Sequence, residues 1–304
     1  MQRRDFVRTV AVGAAASMGL PRTALATSDT TFALAHLADP HIQPELRAAE
    51  GCRQCFRQVN ALKPDFAISG GDLVFDVMAT DRRRANLLYG LYRETVAALD
   101  VPLYDVIGNH DVLGIDPASP VLYTDPLFGK KLYENRIGAR YYFFDHKGWR
   151  FIVLDSIGTG PDPKDGYYGL IDEEQVDWLR SVLEGAGTGT PIVVVTHIPI
   201  LTAFMAYAEG TMVAPSRRVV VTNGKDIMEI LARYRVKAVL QGHTHVRESI
   251  EYMGCKYITS GAVCGNWWKG PRMGHPEGFG LLTARGGEIE WEYRLYGFQA
   301  GSGQ

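Results

Sequence analysis

Five short apolar runs stand out along the chain: Phe32–Leu37, Phe66–Ser69, Leu103–Ile107, Ile192–Thr196 and Ala238–Leu240. Runs of this kind, with no polar alternation, predict strands covered on both faces. Between several of them lie the stretches Glu45–Leu62, Asp81–Leu99, Asp172–Leu183 and Asp226–Tyr234, whose apolar residues recur at helical spacing. Strand, helix and strand in alternation predict an α/β sheet. The texture changes at Arg140–Ser156, where Tyr141–Asp145 and Arg150–Asp155 flank His146-Lys147-Gly148, a hairpin signal, and the tail from Cys255 onward also reads as β-rich. No repeat, low-complexity tract or linker divides the chain. The pattern predicts one core over residues 30–250, with the β-rich stretch 251–304 packing on it.

Each apolar run is followed at once by polar residues of a restricted kind. These are Asp39-Pro40-His41, Gly71-Asp72, Gly108-Asn109-His110-Asp111, His197, and Gly242-His243-Thr244-His245. In open α/β sheets the loops at the carboxyl ends of the strands converge, so five distant segments are predicted to share one site. Gly70-Gly71, Gly108 and Gly242 suit tight turns between a strand and the residues after it.

Asp39, His41, Asp72, Asn109, His197, His243 and His245 bring carboxylate, imidazole and amide donors, a mixture suited to Zn, Mn or Fe. Seven donors exceed the needs of one ion. Two ions about 3.5–4 Å apart sharing a carboxylate would clamp both the attacking and the leaving oxygen of an in-line displacement, and would lower the pKa of bound water to about 7. With only two carboxylates in the set, the charged centre keeps a net attraction for an anionic phosphoryl group. His110 and Asp111 follow Asn109 directly. His110 is placed to protonate a leaving alkoxide, and Asp111 is expected to orient its imidazole.

The set Asp-x-His, Gly-Asp, Gly-Asn-His-Asp, a lone strand-end His and Gly-His-x-His, in this order from Phe32 to His245, resembles the calcineurin-like metallophosphoesterases. The resemblance implies a four-layer αββα sandwich with two facing mixed sheets and a dinuclear centre of divalent or mixed-valence ions. One ion would take Asp39, His41 and His245 and the other Asn109, His197 and His243, with Asp72 bridging. Purple acid phosphatases carry a tyrosine three residues after the bridging Asp and lack the first His. Phe75 and His41 stand there instead, and the pattern looks more like the class III cyclic-nucleotide phosphodiesterases and related bacterial enzymes. The reaction this implies is hydrolysis of a small-molecule phosphodiester by metal-bridging hydroxide. A phosphomonoesterase and a catalytically silent metal-binding module are the alternatives.

The N-terminus has a different character. Arg3-Arg4-Asp5-Phe6-Val7-Arg8 precedes a small apolar stretch, Thr9–Leu20, and Ala24-Leu25-Ala26 offers a cleavage site, so residues 1–26 read as a signal peptide resembling the twin-arginine type. The implied partner is the twin-arginine export machinery, and the implied location is periplasmic or secreted. Residues 1–26 hold four arginines and one aspartate, so their removal takes the formal charge from −2 to −5. An acidic body without a basic stripe argues against a nucleic-acid backbone as partner. No later apolar run approaches the roughly 20 residues of a membrane span.

The remaining chemistry-bearing residues divide into core, surface and undecided. His36 lies mid-strand and is expected in the core, and His146 in a solvated turn. His275 sits in a glycine-rich surface loop. Trp267 and Trp268 suit either a stacking platform or packing, and Arg217 and Arg218 either a grip on a second anionic group or a solvated loop. Leu113–Tyr133, rich in Pro, Asp and Tyr, reads as an irregular loop beside Gly-Asn-His-Asp. Cys52-x-x-Cys55 falls on a helical pattern with no second pair to complete a zinc site, and the pairing of Cys52, Cys55, Cys255 and Cys264 is open.

Overall fold

The computed structural model describes residues 30–160, 162 and 164–301. The signal peptide expected over residues 1–26 lies outside the described residues. The described strands run in chain order as β1 (Phe32–Leu37), β2 (Phe66–Ser69), β3 (Leu103–Tyr104), β4 (Tyr142–His146), β5 (Trp149–Val153), β6 (Ile157–Thr159), β7 (Tyr167–Gly169), β8 (Ile192–Val195), β9 (Val236–Gln241), β10 (Arg247–Tyr252), β11 (Cys255–Ser260), β12 (Gly278–Arg285) and β13 (Glu288–Leu295). The helices are α1 (Ala48–Leu62), α2 (Arg82–Val96), α3 (Lys131–Arg136), α4 (Glu173–Ala186), α5 (Phe204–Ala208) and α6 (Gly224–Leu231). The carboxylates of Asp81 and Asp172 accept the backbone N–H groups of Arg84 and Gln175, so α2 and α4 begin one residue after the acids that open their sequence patterns.

Two mixed sheets result, in the orders β13-β12-β1-β2-β3 and β10-β11-β9-β8-β5-β4, with β6 and β7 as a separate pair. β1, β2 and β3 run parallel, as do β5, β8, β9 and β11. β12, β13, β4 and β10 join antiparallel. Successive side chains of a strand point to opposite faces. Phe32 and Leu34 of β1 therefore meet Trp149, Phe151 and Val153 of β5 and Val193 and Val195 of β8 in one apolar cluster between the sheets. Within it, Phe66 lies edge-on to Phe151 at 5.2 Å and Phe32 to Trp149 at 5.7 Å. The alternate residues, Ala35, Leu37, Ile192 and Val194, face outward into the cluster that includes Phe56 and Val59 of α1, Leu88 of α2, Leu179 and Leu183 of α4 and Ile227 of α6. The layers are helix, sheet, sheet, helix, the architecture expected.

Several expectations need correction. Of the strand expected over Leu103–Ile107, only Leu103 and Tyr104 pair with β2. The Val106 N–H turns aside to the Ser69 hydroxyl at 2.8 Å, and the chain leaves the sheet. The helix expected from Glu45 begins at Ala48, because Leu46 and Arg47 hold left-handed backbone. Asp226–Tyr234 shortens to α6, which starts two residues earlier and ends at Leu231. The C-terminal stretch does not pack on a finished core. β11 lies between β9 and β10, and β12 lies between β1 and β13, so residues after 250 supply the ladder partners of β9 and β1. His146 is not simply solvated: its ring lies edge-on to Phe32 and Phe66 at 5.0 Å each, and its Nε2 is 3.2 Å from Asp65 Oδ1.

Candidate metal centre

The carboxyl ends of β1, β2, β8 and β9 and the 3-10 turn Asn109–Asp111 bring all seven expected donors together. Asp39, His41, Asp72, Asn109, His197 and His245 are each no more than 2% exposed. Three groups capable of holding a cation result: His41, Asp72 and His110; Asp72, His197 and His243; and His41, His245 and Cys264. Asp72 belongs to the first two, which is the position a bridging carboxylate needs.

The backbone carries an unusual load there. Asp39, His41, Asp72, His243 and His245 all have φ between 39° and 72°. Left-handed backbone at a residue with a Cβ costs about 1–3 kcal/mol and persists only where the surroundings over-determine it. Glycine relieves the crowding in two ways. Gly71 is itself left-handed at φ 88°, and a Cβ on it would lie 2.4 Å from His197 Nδ1. At Gly70, Gly108 and Gly242 the φ is ordinary, so the turn chemistry expected there is replaced by a demand for space. A Cβ on Gly108, for example, would sit 2.1 Å from the Asp72 nitrogen.

The histidine hydrogen bonds fix which nitrogen faces inward. His41, His197 and His245 point Nδ1 at the carbonyls of Phe75 (3.2 Å), Gly70 (2.7 Å) and Gly265 (2.6 Å), and His243 points Nε2 at the Arg218 carbonyl (2.8 Å). A carbonyl only accepts, so these nitrogens carry the hydrogen and the opposite nitrogen presents a lone pair. His41 Nε2 then faces His245 Nε2 at 3.2 Å, and His197 Nε2 faces Asn109 Oδ1 at 3.1 Å and Asp72 Oδ2 at 3.2 Å. Asp39 Oδ1 is 3.4 Å from His245 Nε2, and Asp72 Oδ2 is 3.4 Å from His41 Nε2. Acceptors set against acceptors in a buried place are a donor set for cations. Their separations suit ligands sharing an ion with bonds of about 2.0–2.2 Å. Without cations the same crowding draws protons: burial opposes it, but Asp72 and Asp39 push His197 up to about 9. Burial prevails at His41 and His243, which fall to about 3 and about 4.

His110 and Asp111 occupy different roles from those their adjacency suggests. The Asp111 carboxylate accepts backbone N–H groups of Gly108 (2.8 Å), Leu73 (3.2 Å) and Val74 (3.2 Å), so it ties the loop of Asp72 to the loop of Asn109 and does not reach His110. Burial raises its carboxyl to about 7. The carboxylate beside His110 is Asp76, whose Oδ1 is 3.7 Å from Nδ1, while Nε2 lies 4.0 Å from Asp72 Oδ2. Asp76 escaped the sequence reading because it follows Asp72 by four residues and belongs to no strand-end motif. Cys264 escaped it too: Sγ is 3.7 Å from His245 Nδ1, the nitrogen turned away from Asp39. The four cysteines are buried and free.

The other residues sort by position. His36 is buried mid-strand with Nδ1 2.8 Å from the Ser260 hydroxyl, as expected of a core histidine. His275 Nδ1 accepts the Arg247 N–H at 3.1 Å and belongs to none of the cation-holding groups. Arg217 and Arg218 lie over the rings of Tyr168 and Tyr167, and the Tyr167 ring stands edge-on to His243 at 5.9 Å.

The profile of the calcineurin-like phosphoesterases matches residues 32–247, and the chain belongs to that family. It is 26% identical over 242 residues to a Rhodococcus erythropolis protein named "Probable cyclic nucleotide phosphodiesterase", covering 76% of this chain and 70% of that one. It is 27% identical over 178 residues to an Arcobacter nitrofigilis protein named "Probable glycerophosphodiester phosphodiesterase", covering 54% of this chain and 56% of that one. Its fold is shared by a dimetal phosphatase of Danio rerio, with a TM-score of 0.60 at 16% identity over 86% of this chain and 98% of the other.

Proposed function

We propose that the chain is a dinuclear metal-dependent phosphodiesterase, and that Asp39, His41 and His245 hold one ion, Asn109, His197 and His243 the other, and Asp72 both. The observation that carries this reading is the crowding of acceptor atoms around three buried imidazoles, His41, His197 and His245, and the half-buried His243, each locked in one orientation by a backbone carbonyl. Two ions of Fe, Mn or Zn, when bound, supply neutralising charge for the phosphoryl oxygens and hydroxide near neutral pH. His110 offers a proton from Nε2 to the departing alkoxide, and Asp76 on its other nitrogen steadies the imidazolium. Asp111 holds the Asp72 and Asn109 loops at a fixed separation.

Two features support a diester over a monoester. Relatives at 26% and 27% identity carry phosphodiesterase names. The centre is also flanked on two sides, by Tyr167 with Arg218 at His243 and by Trp267 with Arg272 at His41 and His245, which suits two ester arms. The phosphodiesterase is exported through the twin-arginine machinery by residues 1–26 and works in the periplasm or outside the cell. The test is hydrolysis by metal-reconstituted protein of bis-p-nitrophenyl phosphate against p-nitrophenyl phosphate, with cyclic AMP and a glycerophosphodiester alongside. A chelator-sensitive preference for diesters is expected, and preference for the monoester would replace this reading with a phosphatase.

A further inference from the structure

β6 and β7 pair apart from both large sheets, and Tyr167 opens the second of them. The backbone around Tyr167 fixes where it lies. Gly166 N–H donates to the Ile115 carbonyl at 3.0 Å, in the loop beyond Asp111, and Gly169 N–H donates to the Arg217 carbonyl at 2.7 Å. The next carbonyl, that of Arg218, accepts from His243 Nε2 at 2.8 Å. β7 is therefore stitched to the loop that follows one candidate ligand, Asn109, and to the segment that orients another, His243. The Tyr167 ring stands edge-on to His243 at 5.9 Å, and the Arg218 guanidinium lies 5.7 Å from its centre.

Packing accounts for the ring and leaves the hydroxyl over. The ring packs against the outer apolar cluster, while the hydroxyl has no hydrogen-bond partner among the described residues and is not enclosed. Other tyrosines of the neighbourhood commit theirs to backbone: Tyr89 donates to the Asp111 carbonyl at 2.8 Å and Tyr293 to the Pro276 carbonyl at 2.6 Å. The Tyr167 hydroxyl also lies within the field of the centre, since Asp72 is, after burial, the main cause of its raised pKa. His110 belongs to one of the two cation-holding groups that share Asp72, and Tyr167 stands at His243 of the other. Resting on the phosphodiesterase reading for the presence of a phosphoryl group, we infer that the Tyr167 hydroxyl donates a hydrogen bond to a phosphoryl oxygen of the bound ester, at the end of the cluster away from His110. It transfers no proton. A neutral donor held in place by packing before the ester arrives favours the oxygen on which charge builds.

Tyr167→Phe keeps the ring and removes only the hydroxyl. Inorganic phosphate would be titrated by calorimetry into the metal-loaded full chain, wild type and variant, with metal content and melting temperature measured for each. Phosphate affinity should fall by about tenfold in Tyr167→Phe, the effect of one hydrogen bond to a charged oxygen. The kcat/KM for bis-p-nitrophenyl phosphate should fall by at least as much, with metal content and melting as in the wild type. Tyr168→Phe alters the neighbour on the opposite face of β7 and should leave phosphate affinity unchanged. No phosphate binding by the wild type, an unchanged affinity in Tyr167→Phe, or an equal loss in Tyr168→Phe would overturn the inference. So would a loss that comes with lost metal or a lowered melting temperature, since the phenol would then only support the fold. A chain whose phosphate affinity depends on the Tyr167 hydroxyl but which cleaves monoesters in place of diesters keeps this inference and loses the phosphodiesterase reading.

Discussion

The bodies of the central strands and the loops at their carboxyl ends are built on opposite terms. Phe32, Leu34, Phe66, Phe151 and Val193 sit in extended backbone and fill one apolar layer between the two sheets. A few residues further along the same strands, Asp39, His41, Asp72, His243 and His245 sit in left-handed backbone, the carboxylates of Asp39 and Asp72 are buried, and acceptor is set against acceptor. The difference teaches where the free energy of the fold is invested. The sheet interface stabilises the chain, and that surplus offsets a site destabilised until cations occupy it.

Substitutions that exchange the character of the two regions should separate stability from activity. The largest effect is expected from Asp72→Ala, which should lower turnover by about 10³-fold or more in steady-state assays while circular dichroism stays native. Phe151→Ala should do the reverse. It should cost about 3–5 kcal/mol in a denaturant titration, with the activity of the remaining folded molecules unchanged. Chelation should then lower wild-type stability by about 3–4 kcal/mol, the linkage contribution of ions bound at saturation, and should move the melting of Asp72→Ala less in calorimetry.

A smaller effect is expected at Asp76. Burial acts to lower the His110 pKa, but Asp72, Asp76 and, less strongly, Asp111 outweigh it and raise the pKa above its ordinary value. A general acid works below its pKa and fails above it. Asp76→Ala should therefore reduce kcat by about tenfold and move the basic limb of the kcat profile to lower pH, and Asp111→Asn, which removes a weaker contribution, should move that limb less. Coincident limbs in wild type and Asp76→Ala would return the orienting role to another group.

The same contrast explains what was legible in the sequence. β1, β2, β8 and β9 show because their residues obey a buried-strand pattern, and the donors after them show because metal chemistry admits few residue types. Asp76 and Cys264 did not show, since neither belongs to a strand end and each reaches the site through a loop whose path depends on tertiary packing. Asp111 was misread for a related reason. Sequence adjacency put it beside His110, but in a 3-10 turn neighbouring side chains diverge, and three backbone N–H groups claimed the carboxylate. The closure of both sheets by β11 and β12 was hidden because ladder partners are set by pairings between residues far apart in the chain.

The most direct measurement is metal stoichiometry by elemental mass spectrometry on reconstituted, dialysed protein, wild type beside Asp72→Ala. The account predicts two ions per wild-type chain and one or none in the variant. A folded wild-type chain that retains no metal, or an Asp72→Ala chain that retains both ions, would contradict it.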